Sequence, residues 1–305
     1  MSLTAPQDGL RPAAAAKVTP QSLLAQKQSA AVITALTAYD YPTARLADEA
    51  GIDIVLVGDS LGMAVLGYEH TLSVTIEDML HHARAARRGT QRALLVVDMP
   101  YGSYHVSPEE TMRNALRLVK EGGAEAVKIE GGATRADTVR ALTAAEIPVV
   151  AHIGLTPQSL HRMGGYRVQG RDDETAAQLR DDALTLEDAG AIALVLEGIP
   201  RELAAHITSL LNIPTIGIGA GPDCDGQILV FHDVFSLSFR KPPKFVRTFG
   251  DAGSLIRDGL SAFREAVEAR EFPGDEESYH FPSNVSLGRL DADVVDAVEQ
   301  TACVS

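Results

Sequence analysis

The stretch Val55-Leu56-Val57-Gly58-Asp59-Ser60-Leu61-Gly62 decides how this chain folds. Its apolar, partly β-branched residues run straight into Gly-Asp-Ser. Such a run reads as a strand buried on both faces, the kind found in parallel sheets. A carboxylate then stands where the strand must end. Side chains alternate faces along a strand, so Val55, Val57 and Asp59 are expected to share a face, with Asp59 its last and polar member. Taken alone, Asp59 is a turn residue, a common task for Asp. Its meaning depends on how the other strands end.

The same pattern recurs along the chain. Strands are expected at 31–37, 54–59, 93–98, 126–130, 148–153, 192–197 and 214–218, and an eighth begins at 228–231. Helices stand between them and carry their own signals. Pro42 lies near the start of the helix at 41–50, and Gly51 lies just past its end. Thr75 caps a helix at 73–88 with Glu77 and Asp78 in its first turn, and Ser107-Pro108-Glu109-Glu110 opens one that stops at Gly122-Gly123. Further helices are read at 134–145, 175–189 and 200–211, and an amphipathic one at 254–271 closes the pattern. Eight short, doubly apolar strands alternating with capped helices predict parallel βαβ units. At this length they favour a (β/α)8 TIM barrel over an open sheet. The expected organisation is a disordered lead-in at 1–17, a single barrel catalytic domain at 18–272, and a tail at 273–305 with room for a short helix at 291–300.

Composition narrows the function. The chain has 305 residues, 45% of them hydrophobic, enough for a sizeable core. A formal net charge of -14 argues against nucleic acid and anionic membrane as partners, since nothing would offset phosphate repulsion. Anionic small molecules stay open, because a metal or a local cation can hold them. The two cysteines, Cys224 and Cys303, make neither a disulfide framework nor a thiolate metal site, so a reducing cytoplasm is the default. No stretch approaches the roughly 20 apolar residues of a spanning helix, and the first 17 residues lack the basic start and apolar core of a signal peptide.

In a barrel the C-terminal strand ends form the active-site rim. Taken in order, those ends offer Asp59, Asp98, Glu130, His152 and Glu197. Alternation points them inward: Leu94, Val96 and Asp98 share a face, as do Lys128 and Glu130, and Val195 and Glu197. Five polar ends on consecutive strands are far stronger evidence than one. Asp59, Asp98 and Glu130 are hard oxygen donors, which select Mg2+ or a similar ion. Lys128 is a cation aimed at the same centre. It suits a substrate carboxylate or an enolate oxygen, and Schiff-base chemistry is open to it as well. Glu197 is the candidate general base. His152 is either a proton shuttle or a satisfied core histidine. Residues 164–171 form a glycine-hinged loop suited to a lid. Gly217, Gly219 and Gly221 resemble a phosphate cup, a reading weakened by Asp223 and Asp225 beside them. Arg84, Arg87 and Arg88, and the pair His81-His82, read as surface.

At these residues the chain resembles the ketopantoate hydroxymethyltransferases. The likeness is carried by Thr37-Ala38-Tyr39-Asp40-Tyr41, Val57 to Gly62, Val127-Lys128-Ile129-Glu130-Gly131-Gly132, His152 to Ser159, Gly164-Gly165-Tyr166 with Val168-Gln169-Gly170-Arg171, and Asp225-Gly226-Gln227-Ile228-Leu229-Val230, within about 18–280. The resemblance implies a barrel of the phosphoenolpyruvate/pyruvate type. It implies a Mg2+ site at Asp59, Asp98 and Glu130, 2-oxo acid contacts at Asp59, Ser60, Asp98 and Lys128, and Glu197 as proton acceptor. His152 matches an active-site histidine. The implied reaction moves a one-carbon unit from 5,10-methylenetetrahydrofolate to 3-methyl-2-oxobutanoate through a Mg2+-stabilised enolate, giving 2-dehydropantoate and tetrahydrofolate for pantothenate synthesis. A cytoplasmic homodecamer is implied too. Residues 236–248 depart from the family pattern in being more basic and poorer in glycine. The alternatives are a Mg2+-dependent carbon-carbon lyase of the isocitrate lyase and phosphoenolpyruvate mutase kind, whose lid cysteine is not found here, and a non-catalytic barrel.

Overall fold

The computed structural model describes residues 16–283. Eight parallel strands, β1 (Ile33–Thr37), β2 (Ile54–Val57), β3 (Leu94–Asp98), β4 (Ala126–Glu130), β5 (Val149–Gly154), β6 (Ala193–Glu197), β7 (Thr215–Ile218) and β8 (Gly226–Leu229), pair in chain order. β8 pairs with β1 and closes the barrel. The (β/α)8 architecture expected from the sequence is the one observed.

Strands β1 to β6 serve two cores. Ile33, Ala35, Ile54, Leu56, Leu94, Val96, Ala126, Val150, Ala193, Val195, Ile216 and Ile228 fill the barrel interior, with Val18 and Leu23 in the same cluster. Leu23 lies on the N-terminal helix Pro20–Gln28, whose cap is a reciprocal Thr19–Ser22 pair. The alternate residues, among them Val55, Val57, Leu95, Val97, Ile129 and Leu196, pack outward with helix residues such as Ala44, Met79, Ala83, Leu118, Leu142 and Ile207. This division explains the doubly apolar strands. The connecting helices begin at side-chain caps: Thr75 and Ser107, read from the sequence, and Asp40 and Asp172, which were not, each accept the backbone N–H three residues on.

Strand β2 corrects the expected parity. Its interior residues are Ile54 and Leu56, while Val55 and Val57 face the helices. The strand stops at Val57, two residues earlier than expected. A continued strand would carry Asp59 to the outer face. The turn at Gly58 and the short helix Leu61–Ala64 that follows break the alternation. Gly58 suits this place, since a Cβ there would lie 3.0 Å from Ser60 Oγ and 3.4 Å from Asp98 Oδ2.

A second glycine is required at the end of β5. Gly154 has φ +93°, and a Cβ there would lie 2.2 Å from the Glu197 carbonyl oxygen. Gly154→Ala therefore combines a left-handed alanine, about 1–2 kcal/mol, with a clash against the backbone that carries Glu197. The expected result is a loss of about 3 kcal/mol or more, seen as a lowered melting temperature with activity reduced in parallel. An unchanged melting temperature would show that the two strand ends can separate freely.

Residues from Asp251 onward group as a second compact unit. Its helix, Ala252–Glu268, opens where the Asp251 carboxylate accepts the Ser254 N–H, and Phe263 meets Phe272 edge-on with ring centroids 5.6 Å apart. The expected helix at 291–300 and most of the lead-in at 1–17 lie outside the described residues. Among the described residues no helix is long and apolar enough to cross a membrane.

Candidate active site

The inward parity of β3 to β6 delivers five side chains to one end of the barrel. Asp98 follows Leu94 and Val96; Lys128 and Glu130 follow Ala126; His152 follows Val150; Glu197 follows Ala193 and Val195. Register then decides who meets whom. Asp98 pairs with Lys128 across β3 and β4, and Glu130 pairs with His152 across β4 and β5. Lys128 Nζ lies 2.8 Å from Asp98 Oδ1 and 3.8 Å from Glu130 Oε1. His152 stands between two carboxylates, with Nδ1 3.3 Å from Glu130 Oε1 and Nε2 3.3 Å from Glu197 Oε2. Asp59 joins from its turn, and its backbone N–H donates to Asp98 Oδ2 at 3.0 Å. Asp59, Asp98, Lys128, Glu130 and His152 are all buried; Glu197 is partly open.

Burial sets the electrostatics, and the cluster then opposes it. Burial pushes the Asp59 carboxyl well above the usual carboxylate range, and the Asp98 and Glu130 charges push it further. Burial raises Asp98 too, against the pull of Lys128. For Glu130 burial also acts upward, but His152 and Lys128 outweigh it and hold the carboxyl below its ordinary value. Burial would lower His152, yet its two carboxylates raise it to about 9. Lys128 is likewise pushed above the ordinary lysine value by Asp98, Glu130 and Asp59, despite burial. A lysine kept protonated is a poor Schiff-base nucleophile.

The donor set fits a hard divalent ion. Asp59, Asp98 and Glu130 together outnumber the Lys128 charge among them, and Asp98 Oδ1 is buried without a hydrogen bond in proper geometry. Among the described residues no three His, Cys, Asp or Glu side chains converge closely enough to hold a metal ion by themselves. Lys128 and the Gln158 amide stand between the carboxylates. Mg2+ does not need such a cage, because it keeps several waters and takes one or two carboxylates with substrate oxygens.

Several neighbours were not foreseen from the sequence. Ser60 Oγ lies 2.8 Å from the Tyr39 hydroxyl, and the Tyr39 carbonyl oxygen lies 2.6 Å from His82 Nδ1. His82, expected at the surface, instead braces the end of β1. Arg84 and Arg87 are part of a surface lattice of ion pairs with Glu121 and Glu125. Gln158 and Tyr104 are buried against Asp59 and Glu130. The glycine cup is filled: Gly219 has φ +61°, and a Cβ there would lie 2.7 Å from the Phe245 ring. In the glycine-hinged loop, the Gln169 N–H is tied to the Gly198 carbonyl at 2.9 Å, and the Tyr166 hydroxyl lies 3.8 Å from Met63 Sδ. Burial raises that phenol, the Arg240 charge opposes the rise, and the Asp59, Glu197 and Glu130 charges add to it.

A family model described as ketopantoate hydroxymethyltransferase matches residues 17–275. The chain belongs to this family. A 3-methyl-2-oxobutanoate hydroxymethyltransferase from Koribacter versatilis (strain Ellin345) is 60% identical over 266 residues, covering 87% of this chain and 90% of the relative. One of the same name from Geobacter sulfurreducens is 56% identical, covering 81% and 92%. The protein is thus an enzyme of the hydroxymethyltransferase kind. Solved structures place its fold. A 2,3-dimethylmalate lyase of the PEP mutase/isocitrate lyase superfamily is 20% identical with a TM-score of 0.51, covering 94% of this chain and 98% of that one. A phosphonopyruvate hydrolase solved with oxalate and Mg++ is 18% identical with a TM-score of 0.53, covering 92% and 98%. At such identities the likeness is one of fold alone.

Proposed function

We propose that this enzyme transfers the one-carbon unit of 5,10-methylenetetrahydrofolate to 3-methyl-2-oxobutanoate, giving 2-dehydropantoate and tetrahydrofolate. Atom balance requires one water to supply the hydroxyl oxygen. The observation that carries the proposal is the convergence of a carboxylate cluster, a fixed cation and a partly open carboxylate at one barrel end, in a chain 60% identical to a protein named for this reaction.

Asp59, Asp98 and Glu130 would hold Mg2+. Bound there, Mg2+ supplies Lewis acidity toward the carboxylate and keto oxygens of the substrate, which acidifies the neighbouring C–H. The protein's own groups do the rest. Glu197 takes the proton from C3, the carbon next to the keto group. Lys128 holds the charge that develops on the substrate oxygen, as a preorganised donor in a water-poor site. Ser60, at the mouth and fixed by Tyr39, contacts the keto acid. His152, held between Glu130 and Glu197, keeps the base oriented. The methylene carbon leaves two folate nitrogens: water takes the place of one as that C–N bond breaks, C3 forms its bond to the carbon as the other breaks, and the two nitrogens take up one proton from the water and the one removed from C3. A cytoplasmic, decameric enzyme is part of the same proposal.

The lyase alternative fares worse. Cys224, the one cysteine among the described residues, is buried beside Thr208 and Thr215 at the start of β7, where the carboxylates acting on it are Asp225 and Asp223. The test is turnover of 3-methyl-2-oxobutanoate with methylenetetrahydrofolate and Mg2+; absence of product from the wild-type protein overturns the assignment. Asp59→Ala should weaken Mg2+-dependent keto acid binding by about tenfold or more, read by calorimetry with and without Mg2+. Unchanged affinity would remove Asp59 from the metal site.

A further inference from the structure

Gln158 is the polar side chain of this site with no task in the reaction. It follows Pro157 in the first turn after β5 and is 5% exposed. Every hydrogen-bonding group of its amide is used. Nε2 donates to Asp59 Oδ2 at 2.9 Å and to the Met99 carbonyl at 3.0 Å, and Oε1 accepts from the Tyr104 hydroxyl at 2.6 Å. Its backbone N–H donates to Glu130 Oε2 at 2.9 Å. Flipping the amide would turn its oxygen onto two acceptors, so the orientation is fixed by its partners.

Tyr104 fixes it from behind. Its side chain is 3% exposed, and its hydroxyl also accepts the Glu130 N–H at 3.2 Å. The Arg135 guanidinium sits over its ring, 5.1 Å from the centroid. One glutamine therefore touches two carboxylates, Asp59 through its side chain and Glu130 through its main chain. For Asp59 this matters most. That residue lies beyond the end of β2, where sheet register no longer aims it. Among the described residues, Gln158 makes the one hydrogen bond to its side chain.

We propose that Gln158, held by Tyr104, is a positioning residue for the divalent cation. It fixes the Asp59 carboxylate by one oxygen, leaves Oδ1 without a protein donor, and sets the spacing between Asp59 and Glu130. The inference rests on the reading of Asp59 and Glu130 as metal ligands. Partners that orient metal ligands typically change affinity by about ten- to a hundredfold when removed.

The probe is Mn2+ alone, which shares the oxygen-donor preference of Mg2+, titrated into metal-free full-length protein and followed by the free-ion EPR signal. The variants are Gln158→Leu, Tyr104→Phe and the double. Gln158→Leu should raise the Mn2+ dissociation constant by about ten- to a hundredfold. Tyr104→Phe, which keeps the ring and its packing, should raise it by a smaller factor. The double variant should fall short of the product of the two single effects, because Tyr104 acts through Gln158 as well as on the Glu130 N–H. Turnover should follow suit: the metal concentration for half-maximal rate rises, while the rate at saturating metal returns toward wild type. Metal-free melting temperatures separate loss of positioning from loss of fold, and Tyr104→Phe carries the test if Gln158→Leu does not fold. Wild-type affinity in a folded variant overturns the inference, as does strict additivity in the double. A wild-type protein that takes up no Mn2+ overturns the metal reading itself, and this inference with it.

Discussion

Glu197→Gln is expected to bind keto acid and metal normally yet turn over about 10²- to 10⁴-fold more slowly, the usual contribution of a positioned general base. The geometry makes this a clean substitution. Glu197 ends β6 on its inward face, and its side chain is 15% exposed, open enough to meet a substrate. Glutamine keeps the shape and the hydrogen-bonding reach toward His152 but takes no proton. The decisive measurement is exchange of the C3 hydrogen of 3-methyl-2-oxobutanoate in D2O, followed by NMR with Mg2+ and without folate. Exchange should vanish while calorimetric binding stays intact. Exchange at the wild-type rate would remove Glu197 from the base role.

Much of the fold was legible because the chain states it locally. Caps at Thr75 and Ser107 and doubly apolar strands such as Leu94 to Val97 are each readable within a few residues. What misled lay where tertiary packing overrules alternation. Strand β8 is Gly226–Leu229, not 228–231. Glycine is disfavoured inside strands, but a Cβ at Gly226 would lie 2.5 Å from the Ile33 carbonyl and 2.8 Å from Ile216. It is required by close approach, which no local pattern reveals. The short helices Leu160–Met163 and Phe231–Val234 are a single turn each, too short for any periodicity to register.

The site divides along the same line. Asp98, Lys128, Glu130 and Glu197 lie within strands, so parity aims them and register brings them together. Asp59 reached the cluster for another reason than the one parity supplied: the Gly58 turn carries it there. Tyr39, Tyr104 and Gln158 belong to loops and turns after strands, where nothing in the sequence separates a buried anchor from a solvated polar residue. Their signal is a hydrogen-bond chain across β1, β3 and β5, visible once the barrel is closed.

Lys128→Met is expected to be the most damaging substitution for stability. The ammonium is buried 2.8 Å from Asp98 and 3.8 Å from Glu130. Its stem lines the barrel interior beside Ala35, Leu56, Val96 and Val150. Methionine replaces that stem but not the charge. Removing one partner of a buried ion pair costs about 3–5 kcal/mol, which for a chain of this size lowers the melting temperature on the order of 10 °C. The pH dependence fixes the cause. Asp59 and Asp98 already sit above the ordinary carboxylate range with Lys128 present, and without it they rise further. A carboxyl raised in the folded state favours folding at low pH, and that contribution is lost as pH rises through its folded value. The deficit relative to wild type should therefore be smallest near pH 5 and grow toward pH 8. Added Mg2+ should recover part of it at pH 8, because a divalent ion can neutralise the same carboxylates. Melting temperatures measured across that range with and without Mg2+ decide the matter. A deficit independent of pH would mean that the loss is one of packing, and that Lys128 does not hold the carboxylates in their charged form.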